Sequence, residues 1–190
     1  MTYLWLGALL FGGLHLFSTL LPQQRNALRV RLGEKAWKGI YSLLSLLGIV
    51  FFILAYRAMG EGNLGEQLYQ PWSAGKHFIF LMVFLMFVLV GASHGKGYVK
   101  HYVRHPFSLG MALWSGAHLL ANGERAVVWL FGTIFVVSVA DLIFSFARGK
   151  APAHEPQLKS DIRAVVIGIV LFAIFFFGFH PYVLGLPLVN

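Results

Sequence analysis

Four ionisable side chains interrupt stretches that are otherwise almost wholly apolar: His15, His118, Asp141 and, towards the end of the last stretch, His180. Such a group is costly in hydrocarbon and ordinarily faces a bundle interior or a cavity, so chemistry is to be sought at these positions. Neutral imidazole is the usual protein ligand for haem iron, and two imidazoles make a six-coordinate site suited to electron transfer or redox sensing. The chain has no cysteine, which excludes disulfides and thiolate ligation and leaves any metal to His, Met, Asp, Glu or backbone groups.

The surroundings of each group sharpen the options. At 100° per residue, Ala8, Phe11, Gly12, Ser18 and Thr19 share the face of His15, and Ala8 and Gly12 form a small-xxx-small notch. That notch fits a close helix contact, with the imidazole bonded to a neighbouring carbonyl, and equally a flat slot for a planar ligand held by His15. Around His118 the projection gathers Phe107, Met111, Trp114, Ser115 and Asn122, a set that suits either a macrocycle or ordinary packing. Depth counting places His15 about 9 Å, His118 about 16 Å and His180 about 24 Å above the inner boundary. His15 and His180 are therefore rival partners for His118. Ser138, Ser145 and Arg148 lie within about 60° of Asp141, which reads as a structural aspartate–arginine pair with hydroxyl partners, the alternative being a proton path.

The segment "SHGKGYVKHYVRHP" adds His94, His101 and His105. His101 and His105 are spaced as in a helical metal clip, but Pro106 disfavours helix at residue 105 and no carboxylate completes a site. They read as solvated interfacial histidines among lysines; Arg104, Lys100 and His105 are alternatively partners for a haem propionate or a lipid phosphate.

These residues must be positioned by membrane helices. Of 190 residues, 58% are hydrophobic and 12% charged, with a mean hydropathy of +0.72, more apolar surface than a soluble core of this size can use. Runs near the length of a bilayer crossing occur at 3–21, 39–57, 77–93, 107–122, 127–146 and 164–184. The fourth is short, covering roughly 24 Å at 1.5 Å per residue, with Arg and Asn at its ends for the headgroups. Loops are compact, and neither a repeat nor a low-complexity linker is evident. The expected architecture is an all-α integral membrane protein, a single six-helix bundle over residues 1–190.

The first run lacks a basic leader and a small-x-small cleavage site, so it reads as a helix of the mature protein. Twelve of the 15 Lys and Arg fall in 22–38, 94–106 and 147–163, while Arg57, Lys76 and Arg125 share the opposite side with Glu61, Glu66 and Glu124. Both termini are then expected on the periplasmic side. The net charge of +8 is a topology and lipid-headgroup signal, with no nucleic-acid motif beside it.

"LGEKAWKGIYSLLSLLG" (32–48), "RHPFSLGMALWSGAHLLANG" (104–123) and "HPYVLGLP" (180–187) resemble the NnrU family, bacterial inner-membrane proteins linked to nitrite and nitric oxide reduction in denitrifiers. The resemblance spans the chain, and its most specific part is the Arg-His-Pro to Ala-His spacing. That family is related to the plant ζ-carotene isomerase, a membrane enzyme holding haem b. The resemblance implies axial ligands at His15 and His118, with Gly12, Met111, Trp114, Ser115, Arg104 and His105 around the cofactor. Ser115 stands where the isomerase has a switching cysteine, a departure that argues against carotene isomerisation by that route. Isoprenylcysteine carboxyl methyltransferases share the Arg-His-Pro, but Ser108 replaces their tyrosine and their paired glutamates are missing. The expected function is thus a multi-pass inner-membrane haem b protein of nitric oxide and nitrite metabolism. Its expected partners are membrane lipid, a small apolar or nitrogen-oxide ligand and a redox protein. The alternatives are a haem-dependent cis-trans isomerase on a carotenoid- or isoprenoid-like lipid, and a cofactor-free assembly factor for a nitrogen-oxide reductase.

Overall fold

The computed structural model describes residues 1–58, 65–72, 75–149, 152–183 and 188. Glu61 and the final residues of the 180–187 motif lie outside them. The described residues form eight helices: α1 (Thr2–Leu20), α2 (Pro22–Leu32), α3 (Glu34–Ala58), α4 (Lys76–Ser93), α5 (Tyr98–Val103), α6 (Pro106–Ala121), α7 (Arg125–Ala147) and α8 (Leu158–Tyr182). Five of them, α1, α3, α4, α7 and α8, are long and apolar enough to cross a membrane. The fourth expected run is the helix α6, and its 16 residues fall short of the other five.

Local sequence explains the breaks. Pro22 and Pro106 open α2 and α6, where the missing N–H is no loss and the fixed φ suits a first turn. Gly33 separates α2 from α3 with φ 81°, a conformation that a side chain would resist although the surrounding space is empty. Arg104 ends α5 at φ 62°, the one positive-φ non-glycine among the described residues, and His105 is non-helical before Pro106 at φ −122°, ψ 57°, out of the α region that the proline disfavours.

The packing order is a row. α4 lies against α8 and α6, α6 against α7, α7 against α1, and α1 against α3. Contacts fix the directions: Gly110 of α6 meets Met86 of α4 while Gly116 meets Met82, so these two run antiparallel. α6 and α7 are antiparallel too, with Ser108 bonded to Asp141 at one end and His118 stacked on Phe131 at the other. α1 and α7 run parallel, since Trp5 meets Trp129, Gly12 faces Thr133 and Thr19 reaches Asp141.

Small residues fill the contacts and large ones face outward. Ala112, Ser115, Ala117 and Ala164 are buried, whereas Leu43, Ile143, Ile169 and Phe177 are exposed. This is the arrangement expected where helices associate in lipid, because close backbone approach rather than apolar burial supplies the packing energy.

On one side of the row the α6–α7 turn is stitched by segment 65–72. Leu68 N–H donates to Gly123 O (2.8 Å), Trp72 N–H to Leu120 O (2.9 Å) and Arg125 N–H to Glu66 O (3.0 Å). The Tyr69 hydroxyl donates to the carbonyls of Leu119 and Asn122, and Arg125 pairs with Glu66. A Cβ at Gly123 would strike the Tyr69 carbonyl, so this approach needs glycine. On the opposite side Asp161 of α8 accepts the amides of Tyr98 (2.7 Å) and Val99 (3.1 Å), capping α5.

Candidate functional site

The three intramembrane histidines share one device. His15 Nδ1–H donates to Phe11 O (2.7 Å), His118 Nδ1–H to Trp114 O (2.8 Å) and His180 Nδ1–H to Phe175 O (2.9 Å). A carbonyl can only accept, so Nδ1 carries the proton and Nε2 keeps its lone pair in each neutral ring. A ring fixed in this way is oriented as metal-ligating imidazoles are.

His118 and His180 come together, with ring centroids 6.4 Å apart and planes 27° from parallel. α8 is π-helical over Ile174–Val183, and His180 meets His118 although counting on regular helices sets it about 8 Å higher. Phe131 of α7 stacks on His118 at 4.1 Å, and Trp114 meets the same imidazole edge-on at 5.1 Å.

His15 lies elsewhere. Its ring packs on Phe11 and Tyr41 and borders a chamber of about 230 Å³ that also touches Met111, Ser108 and Asp141. Met111 precedes His118 by nearly two helical turns, about 10 Å along α6, so the two rings sit at different depths. The notch residue Gly12 faces away from that chamber, against the Thr133 methyl, and borders a separate apolar groove.

The remaining expected residues are dispersed. Trp114 stays with His118. Ser115 is fully buried, its hydroxyl donated to the Met111 carbonyl at 2.6 Å. Arg104 is exposed at the α5–α6 junction, and His105 packs on Phe146. His101 and His105 differ from the solvated reading: His101 Nδ1 and His105 Nε2 are shielded and lack a hydrogen-bond partner, because the junction folds back onto α7 and residue 154. Among the described residues no group of three or more His, Asp or Glu is placed to hold a metal ion.

The stripe on α7 is the centre of a larger network. Asp141 accepts hydrogen bonds from Thr19 (3.5 Å), Ser108 and Ser145 (3.4 Å), and Arg148 lies 3.9 Å from it. Arg148 also donates to Ser145 (2.6 Å) and to the Thr19 carbonyl (3.2 Å). Three helices, α1, α6 and α7, are thereby joined at one carboxylate. Thr19 and Ser108 were not legible as partners, since each lies near a run end on another helix and only the tertiary register brings them to Asp141.

Apolar helices associated through small residues, with imidazoles and one carboxylate gathered between them, define a multi-pass membrane protein with interior polar sites. The model for the family described as NnrU protein matches residues 3–188, nearly the whole chain. The chain belongs to the NnrU family. No curated protein and no solved structure matches it.

Proposed function

We propose that this protein binds haem b between α6 and α8 in a six-crossing bundle of the bacterial inner membrane, and serves nitric oxide and nitrite metabolism. The observation that carries the haem reading is the 6.4 Å separation of the His118 and His180 rings. Two imidazoles ligating one metal ion from opposite sides, with metal–nitrogen bonds of about 2 Å, place their ring centroids about 6 Å apart. Both rings keep Nε2 for the metal, and Phe131 and Trp114 supply the aromatic surface a macrocycle packs on. The donor set therefore fits the group. When bound, haem supplies one-electron exchange, with bis-imidazole ligation setting its potential. The carbonyls of Trp114 and Phe175 would hold the two rings, raise their basicity and keep Nε2 unprotonated.

Six crossings are supported by direction. With α3 and α4 between them, α1 and α7 can run parallel only if α6 also traverses the bundle. The basic-residue count supports periplasmic termini. The nitrogen-oxide role is drawn from the resemblance to the family. The pairing of His15 with His118 is retained as the rival ligand set.

Absorbance and haem content of the purified protein provide the test. Wild type should show a low-spin haem b spectrum, His118→Ala and His180→Ala should each lose it, and His15→Ala should keep it. Loss in His15→Ala with retention in His180→Ala would restore the His15–His118 pair. Protein from haem-replete cells that carries no haem would leave the cofactor-free assembly role.

A further inference from the structure

Two openings follow one another along the seam of the parallel helices α1 and α7. The first is an apolar groove of about 360 Å³ bordered by Ala8, Gly12 and Leu16 of α1 and by Trp129, Thr133 and Val136 of α7. The second is the His15 chamber of about 230 Å³, which adjoins the groove at Val137 and overlaps it in depth, His15 preceding Leu16 on α1. On α1 the lining passes from Leu16 to Ser18 and Thr19, and on α7 from Val137 to Ser138 and Asp141. An apolar groove thus adjoins a polar chamber, whose wall Tyr41 of α3 and Phe107, Ser108 and Met111 of α6 complete.

The chamber's chemistry narrows its occupant. Asp141 is occupied by three hydroxyls and Arg148. The neutral His15 ring turns a lone pair, not a proton, to any ligand, because Nδ1–H is committed to Phe11 O. A ligand that bonds to His15 must then bring a donor, as a hydroxyl does. Guanidinium donors of Arg25 and Arg148 border the same space and suit an oxygen at the ligand's other edge. The rings of Tyr41 and Phe107 border it as well, and the volume exceeds what a bare alcohol needs.

We propose that the α1–α7 seam binds an isoprenoid hydroquinone, with its dihydroxy ring in the His15 chamber and its chain along the Gly12–Thr133 groove. His15 Nε2 accepts one ring hydroxyl and the guanidinium side meets the other oxygen, while Leu16, Trp129 and Val136 line the chain. The assignment is independent of haem held by His118 and His180, since the chamber lies about two helical turns from His118 along α6, and it excludes His15 as an iron ligand.

The test is calorimetric titration, under anaerobic conditions, of the full-length protein in detergent with decylubiquinol and with its tail-less ring, 2,3-dimethoxy-5-methylhydroquinone. Wild type should bind decylubiquinol saturably with one site per chain. His15→Phe should weaken both probes at least tenfold, and His15→Gln, which keeps an acceptor, should recover most of the affinity. Leu16→Trp, placed to fill the groove, should weaken decylubiquinol at least tenfold and leave the tail-less ring unchanged; Val136→Trp serves if that variant does not fold. His118→Ala should bind the quinol as wild type does, so haem loss and quinol loss are read separately. Absence of saturable binding would overturn the proposal, as would equal binding by 1-decanol or indifference to His15→Phe. Phosphatidylglycerol retained on purification and released by Arg25→Gln would assign the seam to a phospholipid instead.

Discussion

Replacing Asp141 with alanine removes the junction of α1, α6 and α7, and its cost can be worked from the contacts. Side-chain hydrogen bonds within membrane proteins average about 0.6 kcal/mol, so the hydroxyls of Thr19, Ser108 and Ser145 together contribute about 2 kcal/mol. The ion pair adds less than about 1 kcal/mol, because Arg148 is 3.9 Å away and both side chains are 36% exposed. Asp141→Ala should therefore destabilise the fold by about 2–3 kcal/mol. Asp141→Asn keeps an oxygen acceptor, and the hydroxyls can reorient to accept from its amide, so only the ionic part goes and the loss should be about 1 kcal/mol or less. Reversible unfolding in mixed micelles, followed by circular dichroism, measures both. Equal losses in the two variants would show that charge rather than hydrogen bonding joins the helices. A loss below about 0.5 kcal/mol in Asp141→Ala would show that the hydroxyls re-pair without cost, sinking the reasoning.

A Cβ at Gly12 would lie 2.6 Å from Thr133 Cγ2, so Gly12→Ala should lower stability by about 1–3 kcal/mol, and adding Thr133→Ser, which deletes that methyl, should restore most of it in the same unfolding assay. Tyr69→Phe should loosen the 65–72 segment, seen as faster amide exchange at Leu68 and Trp72 without loss of the bundle. Burial and the carboxylate of Glu124 push the Tyr69 phenol above its ordinary range; raised in the folded state, it contributes fully below about pH 10, and protection should fade as pH climbs through the folded value and the phenolate stops donating. A single cysteine at Lys35 should resist impermeant thiol reagents in intact cells while one at Glu66 reacts; labelling at Lys35 would reverse the orientation.

Helix positions were legible because apolar runs and prolines act locally: Pro106 alone predicts both the start of α6 and the non-helical His105. The Asp141–Arg148 stripe was legible for the same reason, being one helix face. What depends on relative depth was not. His15, His118 and His180 carry equivalent local signals, and only the tertiary register of α6 and α8 sets His180 beside His118. Gly12 reads as a notch on the His15 face when every residue turns by 100°, but Ala8–Gly13 is π-helical, and the altered turn directs Gly12 to Thr133.

The shortness of α6 bears on how the chain enters the bilayer. With 16 residues, four of them glycine or serine, α6 is a weak candidate for insertion on its own. Its flanks, however, are α4 and α7, which shield it from lipid, and its exit turn is held by backbone bonds from segment 65–72, already synthesised when α6 emerges. Membrane thickness is then sensed by the 25-residue helices α3 and α8 at the two ends of the row, while α6 answers only to its neighbours. Lengthening α6 would strain the turn that segment 65–72 grips, so a mismatch tolerated in most membrane helices becomes here a fixed dimension of the assembly.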